Sequence, residues 1–183
     1  MKTTEIKNLS IAVVGGGYGG AAAAIALRNI GAENVHVYEQ APALGQVGAG
    51  IGLRPITVEL FRQWGIFDEI AAVSSPSDYL EIRSADGQQV LAQEVWPQLN
   101  DFAQPNHTRI IHRGDFIDAL LGVLPQEMVH LDHKLTSIED QGAAATLTFE
   151  NGESGTADLV IGADGIRSLV RQQLFSDKAP VFA

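Results

Sequence analysis

Cysteine is absent from the 183 residues, which removes disulfide frameworks, thiolate zinc sites, CxxC redox chemistry and cysteinyl-linked cofactors together. A reducing, cytoplasmic setting fits that composition. Positive charge is scarce: 12 Lys and Arg stand against 22 Asp and Glu, a formal charge of −10, and no basic run interrupts the balance. A nucleic acid or an anionic membrane would approach against that field, so neither is expected as a partner and small molecules are. Long apolar runs are missing as well. The uncharged stretch from Leu9 to Leu27 holds five glycines, which makes a poor signal or membrane helix. Repeats and low-complexity tails are missing too. What is present is 45% hydrophobic residues, enough for one core or slightly more and incompatible with disorder.

Ile11–Val14 is a short apolar run ended by glycine, Ala21–Leu27 follows at helical spacing, Gly31 stops it, and Val35–Tyr38 is a second run. That order predicts β-α-β within about thirty residues. Leu44 to Gly52 is too rich in glycine for a regular element and too apolar for a solvated linker, so an ordered loop is expected there. Pro55 sits at the first turn of a helix through Trp64, with Val58, Leu60, Phe61 and Trp64 on its apolar face and Gly65 as its stop. Tyr79–Ser84 and Gln89–Val95 flank Asp86-Gly87, a hairpin signal that breaks the βαβ rhythm. Arg109–Ile111 reads as a strand, and Asp115 or Gly114 as the cap of a helix through Leu124. Val129–Leu131, Lys134–Ile138, Ala144–Phe149 and Gly155–Leu159 form a β-rich block with Asn151-Gly152 as a turn. Leu159–Ile161 is a buried-strand run leading through Gly162–Gly165 into a helix from about Ser168.

Gly15-Gly16-Gly17-Tyr18-Gly19-Gly20 satisfies G-x-G-x-x-G between the first strand and its helix, and Glu39 ends the next strand about twenty residues on. The physical demand is close approach of backbone to a pyrophosphate. Gly15 allows the turn, Gly17 removes a Cβ that would bar the phosphate, and Gly20 lets helix and strand pack closely, while Ala21 to Ala24 keep the sheet-facing side small. The helix start offers N–H groups and about half a positive charge. Glu39 can accept hydrogen bonds from both ribose hydroxyls, and would repel a 2′-phosphate. After the second strand an NAD domain would continue in βαβ units. Here the chain instead enters the glycine-rich loop, a helix and an antiparallel excursion, an order that suits FAD.

Gly162-Ala-Asp-Gly165 repeats the strand, glycine turn, helix logic, with Asp164 at the carboxyl end of its strand as a ligand residue or a plain N-cap. Arg113, between a strand and a helix, either donates to phosphate or flavin oxygen or pairs with Asp115 at the surface. His130 and His133 lack an obvious third ligand, so no metal site is expected. His107 and His112 read as ordinary surface or pocket residues. Glu5, Asp68-Glu69 and Glu139-Asp140 read as solvated charge. Trp64 and Trp96 read as packing residues, Trp96 with a lesser claim to stacking on a substrate.

Three motifs in order resemble the FAD-dependent aromatic hydroxylases, the single-component flavoprotein monooxygenases. They are Gly15–Gly20 with Glu39, the Val47–Ile51 loop followed by Pro55, and Ile111–Asp115 with Ile161–Ser168. The match spans roughly residues 9 to 175 and is similar to the salicylate hydroxylase and 6-hydroxynicotinate 3-monooxygenase branch. The resemblance implies an α/β fold: a Rossmann-like FAD-binding parallel sheet with a β-meander and the beginning of an antiparallel substrate domain. On it, residues 1–76 and 110–183 form the FAD-binding domain and 77–109 start the substrate domain.

It further implies non-covalent FAD, NADH or NADPH as co-substrate, and hydroxylation of a small aromatic or heteroaromatic acid with O2. Carried over by position, Gly15, Gly17, Gly19 and Gly20 line the pyrophosphate and Glu39 the adenosine ribose. Gln40 stands where many relatives carry Arg. Arg113 contacts FAD, Leu135 lies near the adenine, and the 48–53 loop, with Gly50 and Gly52, borders the flavin. Asp164 belongs to a motif associated with FAD and the nicotinamide cofactor. Gly52 stands where some relatives carry a flavin-facing side chain, and no catalytic residue is assigned. Family members run to about twice this length, so the chain is expected to be the N-terminal half of an enzyme. Two other readings stay open: another member of the superfamily, such as a halogenase or isoprenoid reductase, and a catalytically silent FAD- or nucleotide-binding module.

Overall fold

The computed structural model describes residues 6–43, 48–96 and 107–175. Leu44–Val47 of the expected glycine-rich loop, and Glu5, lie outside them. The chain divides into two compact units, residues 1–45 with 120–183 and residues 46–119.

In the first unit β1 (Ser10–Val14), α1 (Tyr18–Asn29) and β2 (Asn34–Tyr38) form the expected β-α-β. Ile11, Val13, Val35 and Val37 are at most 1% exposed, and burial of each stabilises by about 1.5–3 kcal/mol. Small residues let the helix lie close: Gly20, Ala21, Ala24 and Ile25 are its buried positions, and it packs on β1 and β2. A two-residue strand β8 (Val129–His130) and β12 (Leu159–Gly162) complete a parallel sheet in the order β12-β1-β2-β8. Because β12 is an edge strand, Leu159 is 39% exposed, and the expectation of a buried run at 159–161 is corrected. A meander of β9 (Leu135–Asp140), β10 (Ala145–Phe149) and β11 (Ser154–Ala157) is antiparallel in the order β11-β10-β9. Its Leu135, Leu147, Phe149 and Ala157 enclose a core with Ala12 and Val14 of β1 and Val170 of α5 (Leu169–Leu174). The side chain of Ser168 caps α5 by accepting the Arg171 N–H at 3.0 Å.

The second unit corrects the reading of the glycine-rich segment. Gly50–Leu53 is a regular strand, β3, antiparallel to β7 (Thr108–His112), which also pairs with β4 (Ser74–Ser77). Pairing makes the strand in spite of its glycines: Ile51 and Leu53 face inward, Gly50 and Gly52 lie exposed, and the side chains nearest to them are Ile110 of β7 and, at Gly52, Trp96. Pro55 starts α2 (Pro55–Gln63), which buries Val58 and Phe61, whereas Leu60 is 37% exposed and leaves the expected apolar face. α3 (Phe67–Ala72) follows, with Asp68 and Glu69 in its first turn. Arg109 ties β7 to this region, donating to Ser74 Oγ at 2.7 Å, the Ser74 carbonyl at 2.8 Å and the Ala71 carbonyl at 3.2 Å. β5 (Tyr79–Arg83) and β6 (Val90–Val95) form the expected hairpin. α4 (Arg113–Gly122) begins at Arg113 itself, so Asp115 lies in its first turn and is not its cap. No helix among the described residues is long and apolar enough to cross a membrane.

Candidate cofactor site

Two glycine turns meet at the carboxyl ends of adjacent parallel strands. Gly15 leaves β1 with φ +104°, and a Cβ there would lie 2.5 Å from the Ala163 carbonyl oxygen of the turn after β12. A Cβ on Gly20 would fall 1.8 Å from the Gly15 carbonyl oxygen and 3.3 Å from Ala163 Cβ. Gly15 and Gly20 are therefore demanded by the chain's own backbone. Gly17 and Gly19 are not: among the described residues a Cβ on either meets nothing within 4 Å. The space over these two glycines borders the start of α1, whose N-cap Gly17 makes no side-chain cap and whose first turn holds no acid. The helix start thus carries no acid in its own first turn, and its N–H groups face the kind of site that a pyrophosphate requires.

Glu39 is buried at the end of β2, beside this turn. Its Oε2 accepts the Gly16 N–H at 2.6 Å and its Oε1 the Ala41 N–H at 2.9 Å. The carboxylate thus fixes the turn as well as being available to a ligand, since each oxygen keeps a second lone pair for a hydroxyl. Gly16 was not singled out by the sequence argument, yet a Cβ there would sit 2.8 Å from Glu39 Cβ. Three consecutive glycines were the available signal. Gln40, next along, is exposed.

Backbone bonds hold Glu39 in place from the far side. Its N–H donates to the His130 carbonyl at 2.8 Å, and its carbonyl accepts the His133 N–H at 2.9 Å. Asp132, at φ +57°, donates its N–H to the Ala41 carbonyl at 3.0 Å. Beneath this clamp Tyr38 stacks between His130 and Phe149, with centroids at 4.9 and 4.6 Å. His36 Nε2 donates to Asn34 Oδ1 at 2.8 Å, so its Nδ1 accepts from His130 Nε2 at 2.9 Å. His130 and His133 are thus members of an aromatic cluster that supports Glu39. Burial, then His36 and His133, hold the His130 imidazole below its ordinary pKa against the opposing pull of Glu153. Burial and Glu153 push the Tyr38 phenol up. Leu135 contributes its side chain to the core.

Asp164 lies in the second turn. Its Oδ2 accepts the N–H groups of Leu169 at 2.6 Å and Val170 at 3.2 Å, so it helps to hold the start of α5, although the N-cap position is taken by Ser168 and not by Asp164. Its Oδ1 is buried and has no hydrogen-bond partner among the described residues. A buried carboxylate oxygen without a donor is costly, and a ligand hydroxyl would satisfy it. Open space above Gly17 and Gly19, spare lone pairs on Glu39 and this orphaned oxygen together fit the diphosphate and hydroxyl groups of a dinucleotide.

In the second unit Arg113 opens α4 and donates its N–H to the Ala49 carbonyl at 3.2 Å. A Cβ on Gly48, the first residue of the 48–53 loop, would lie 2.9 Å from Arg113 Cβ. His112 Nε2 donates to the Gly48 carbonyl at 2.9 Å, and Asp115 faces His112 Nδ1 at 3.9 Å. A Cβ on Gly52 would touch Trp96 at 3.6 Å.

Comparison with known proteins agrees with this geometry. The 6-hydroxynicotinate 3-monooxygenase of Pseudomonas fluorescens is 39% identical over 176 residues, covering 94% of this chain and 45% of that protein. The salicylate hydroxylase of Pseudomonas putida is 31% identical over 180 residues, covering 95% of this chain and 40% of that protein. Among solved structures, 2,6-dihydroxypyridine-3-hydroxylase from Arthrobacter nicotinovorans superposes with a TM-score of 0.71 at 29% identity, over 94% of this chain and 41% of that one. The chain spans less than half the length of these relatives. The FAD binding domain family matches residues 8–180, and the chain belongs to that family.

Proposed function

We propose that the chain is the FAD-binding half of a monooxygenase that hydroxylates a small aromatic or heteroaromatic acid, with NADH or NADPH and O2 as co-substrates. The observation that carries the reading is the pairing of two glycine turns, Glu39 and the orphaned Asp164 oxygen in one place, in a chain 39% identical to an enzyme named for hydroxylating a hydroxynicotinate. When bound, FAD supplies the redox and oxygen chemistry. The residues here bind and orient it. Gly15, Gly17, Gly19 and Gly20 shape the pyrophosphate seat, Glu39 takes ribose hydroxyls with Gln40 beside it, and Leu135 backs the adenine side from the core. Asp164 takes a further hydroxyl. In the second unit the assignment gives Arg113 a cofactor oxygen and Gly50 and Gly52 the flavin side. On this reading residues 1–76 and 110–183 belong to the FAD domain and 77–109 begin the substrate domain, in a cytoplasmic enzyme that uses neither nucleic acid nor membrane.

The test is to supply the purified FAD-loaded full-length protein with NADH or NADPH, air and a panel of hydroxylated aromatic acids, and to look by mass spectrometry for a product carrying one added oxygen atom. Such a product is the expected result. A halogenated or reduced product, or none across the panel, would overturn the reading.

A further inference from the structure

We propose that Arg54 is the residue that selects a carboxylate on the aromatic substrate, with the ring lying over the bare Gly50–Gly52 face of β3 beside Trp96. The inference rests on the hydroxylase reading above and names the substrate group that reading leaves open.

Gly50, Gly52 and Arg54 share one side of an extended segment, since Arg54 at φ −69° and ψ 155° continues the strand's alternation. Two successive exposed glycines leave backbone uncovered over a length of about 7 Å, the span of one aromatic ring. The walls are apolar: a Cβ on Gly50 would be 3.8 Å from Ile110 Cγ2, and one on Gly52 3.6 Å from Trp96 Cη2 and 3.9 Å from Ile110 Cδ1. Any side chain at Gly52 would stand on this face and against that tryptophan. At its end stands the guanidinium of Arg54, 5.5 Å from the centre of the Trp96 ring.

The position of that charge is not explained by the stability of α2. Arg54 is the N-cap of α2 and makes no side-chain cap bond. A cation there opposes the positive end of the helix, where an acid is favoured. Its ion pair is with Glu94, Nη2 to Oε1 at 3.5 Å, between side chains that are 52% and 59% exposed. Such a pair is weak and readily exchanged. A substrate carboxylate would replace it with a planar two-pronged match to the guanidinium and would also be favoured by the helix end. In a chain of net charge −10, a cation over an aromatic ring at the rim of a side-chain-free face is the local feature that favours an anionic ring over a neutral one.

The test is calorimetric binding to the FAD-loaded full-length protein of two matched pairs, salicylate with phenol and 6-hydroxynicotinate with 2-hydroxypyridine. The native protein is expected to bind each acid at least about tenfold tighter than its uncharged partner. Arg54→Met should reduce that preference to within about threefold while changing affinity for the neutral rings by less than about twofold, because only the charged contact is lost. Glu94→Gln, which removes the competing carboxylate, should tighten the acids by about two- to fivefold. Preference for the acids that persists in Arg54→Met, with the thermal midpoint unchanged, overturns the role of Arg54 alone. Failure of all four rings to bind the native protein overturns the hydroxylase reading, and the inference with it.

Discussion

Glu39 Oε2 and the Gly16 N–H are bonded at 2.6 Å, which makes the acid that ends β2 a structural part of the glycine turn that begins α1. Glu39→Ala would leave the Gly16 and Ala41 N–H groups without their acceptor. We expect a loss of about 1–3 kcal/mol in urea unfolding of the cofactor-free protein, together with weaker FAD binding. Retention of full stability would show that the bond contributes nothing.

Gly20 and Gly15 make a sharper prediction. A methyl group on Gly20 would overlap the Gly15 carbonyl oxygen, and backbone cannot yield as a flexible side chain does. Gly20→Ala should therefore destabilise the cofactor-free protein by about 1–3 kcal/mol or more, read from the denaturant midpoint. An unchanged midpoint would mean that helix and strand are not packed at this distance.

The aromatic cluster predicts how stability depends on pH. The His130 imidazole is held below its ordinary value, so as pH falls the unfolded chain takes up a proton first, near about 6.5. Its contribution is complete above that pH and is lost as pH falls through it toward the lower folded value. Tyr38 acts at the other end: its raised phenol contributes fully below about 10 and is lost as pH climbs past that value. Urea midpoints measured from pH 5 to 8 should decline on the acid side, and His130→Asn should flatten the decline. An acid limb identical in the variant would assign the decline to other groups.

Asp164→Asn separates the two oxygens of Asp164. The amide carbonyl can go on accepting from Leu169 and Val170, while the NH2 replaces the orphaned oxygen with a donor. The fold should survive with a loss of about 1 kcal/mol, and FAD affinity should fall about tenfold or more because an acceptor has been lost. Equal FAD affinity would remove Asp164 from the site.

The β-α-β unit was legible because its signals are local: an apolar run, a glycine turn and helical spacing lie side by side between Ile11 and Tyr38. β3 was hidden because its stability comes from pairing with β7, sixty residues away in sequence, and glycine carries no strand signal of its own. α3 and β4 are short, and Pro76 within β4 argues against a strand except at an edge, where this one lies. The placement of the glycine motif, Glu39 and Asp164 at strand ends beside glycine turns was readable from spacing. The Tyr38, His130 and Phe149 stack was not, because it depends on the register that sets Tyr38 beside His130. The close approaches at Gly16 and Gly48 were not legible for a related reason: what each excludes is a side chain distant in sequence, Glu39 and Arg113.

Gly17→Ala bears on the cofactor seat itself, because the added methyl meets nothing among the described residues within 4 Å and lies where the pyrophosphate is assigned. FAD affinity and the cofactor-free thermal midpoint should be measured together. We expect an unchanged or slightly raised midpoint with FAD affinity lowered at least about tenfold, the signature of a residue kept small for its ligand. An unchanged midpoint with unchanged FAD affinity would contradict it, placing the cofactor's phosphates elsewhere.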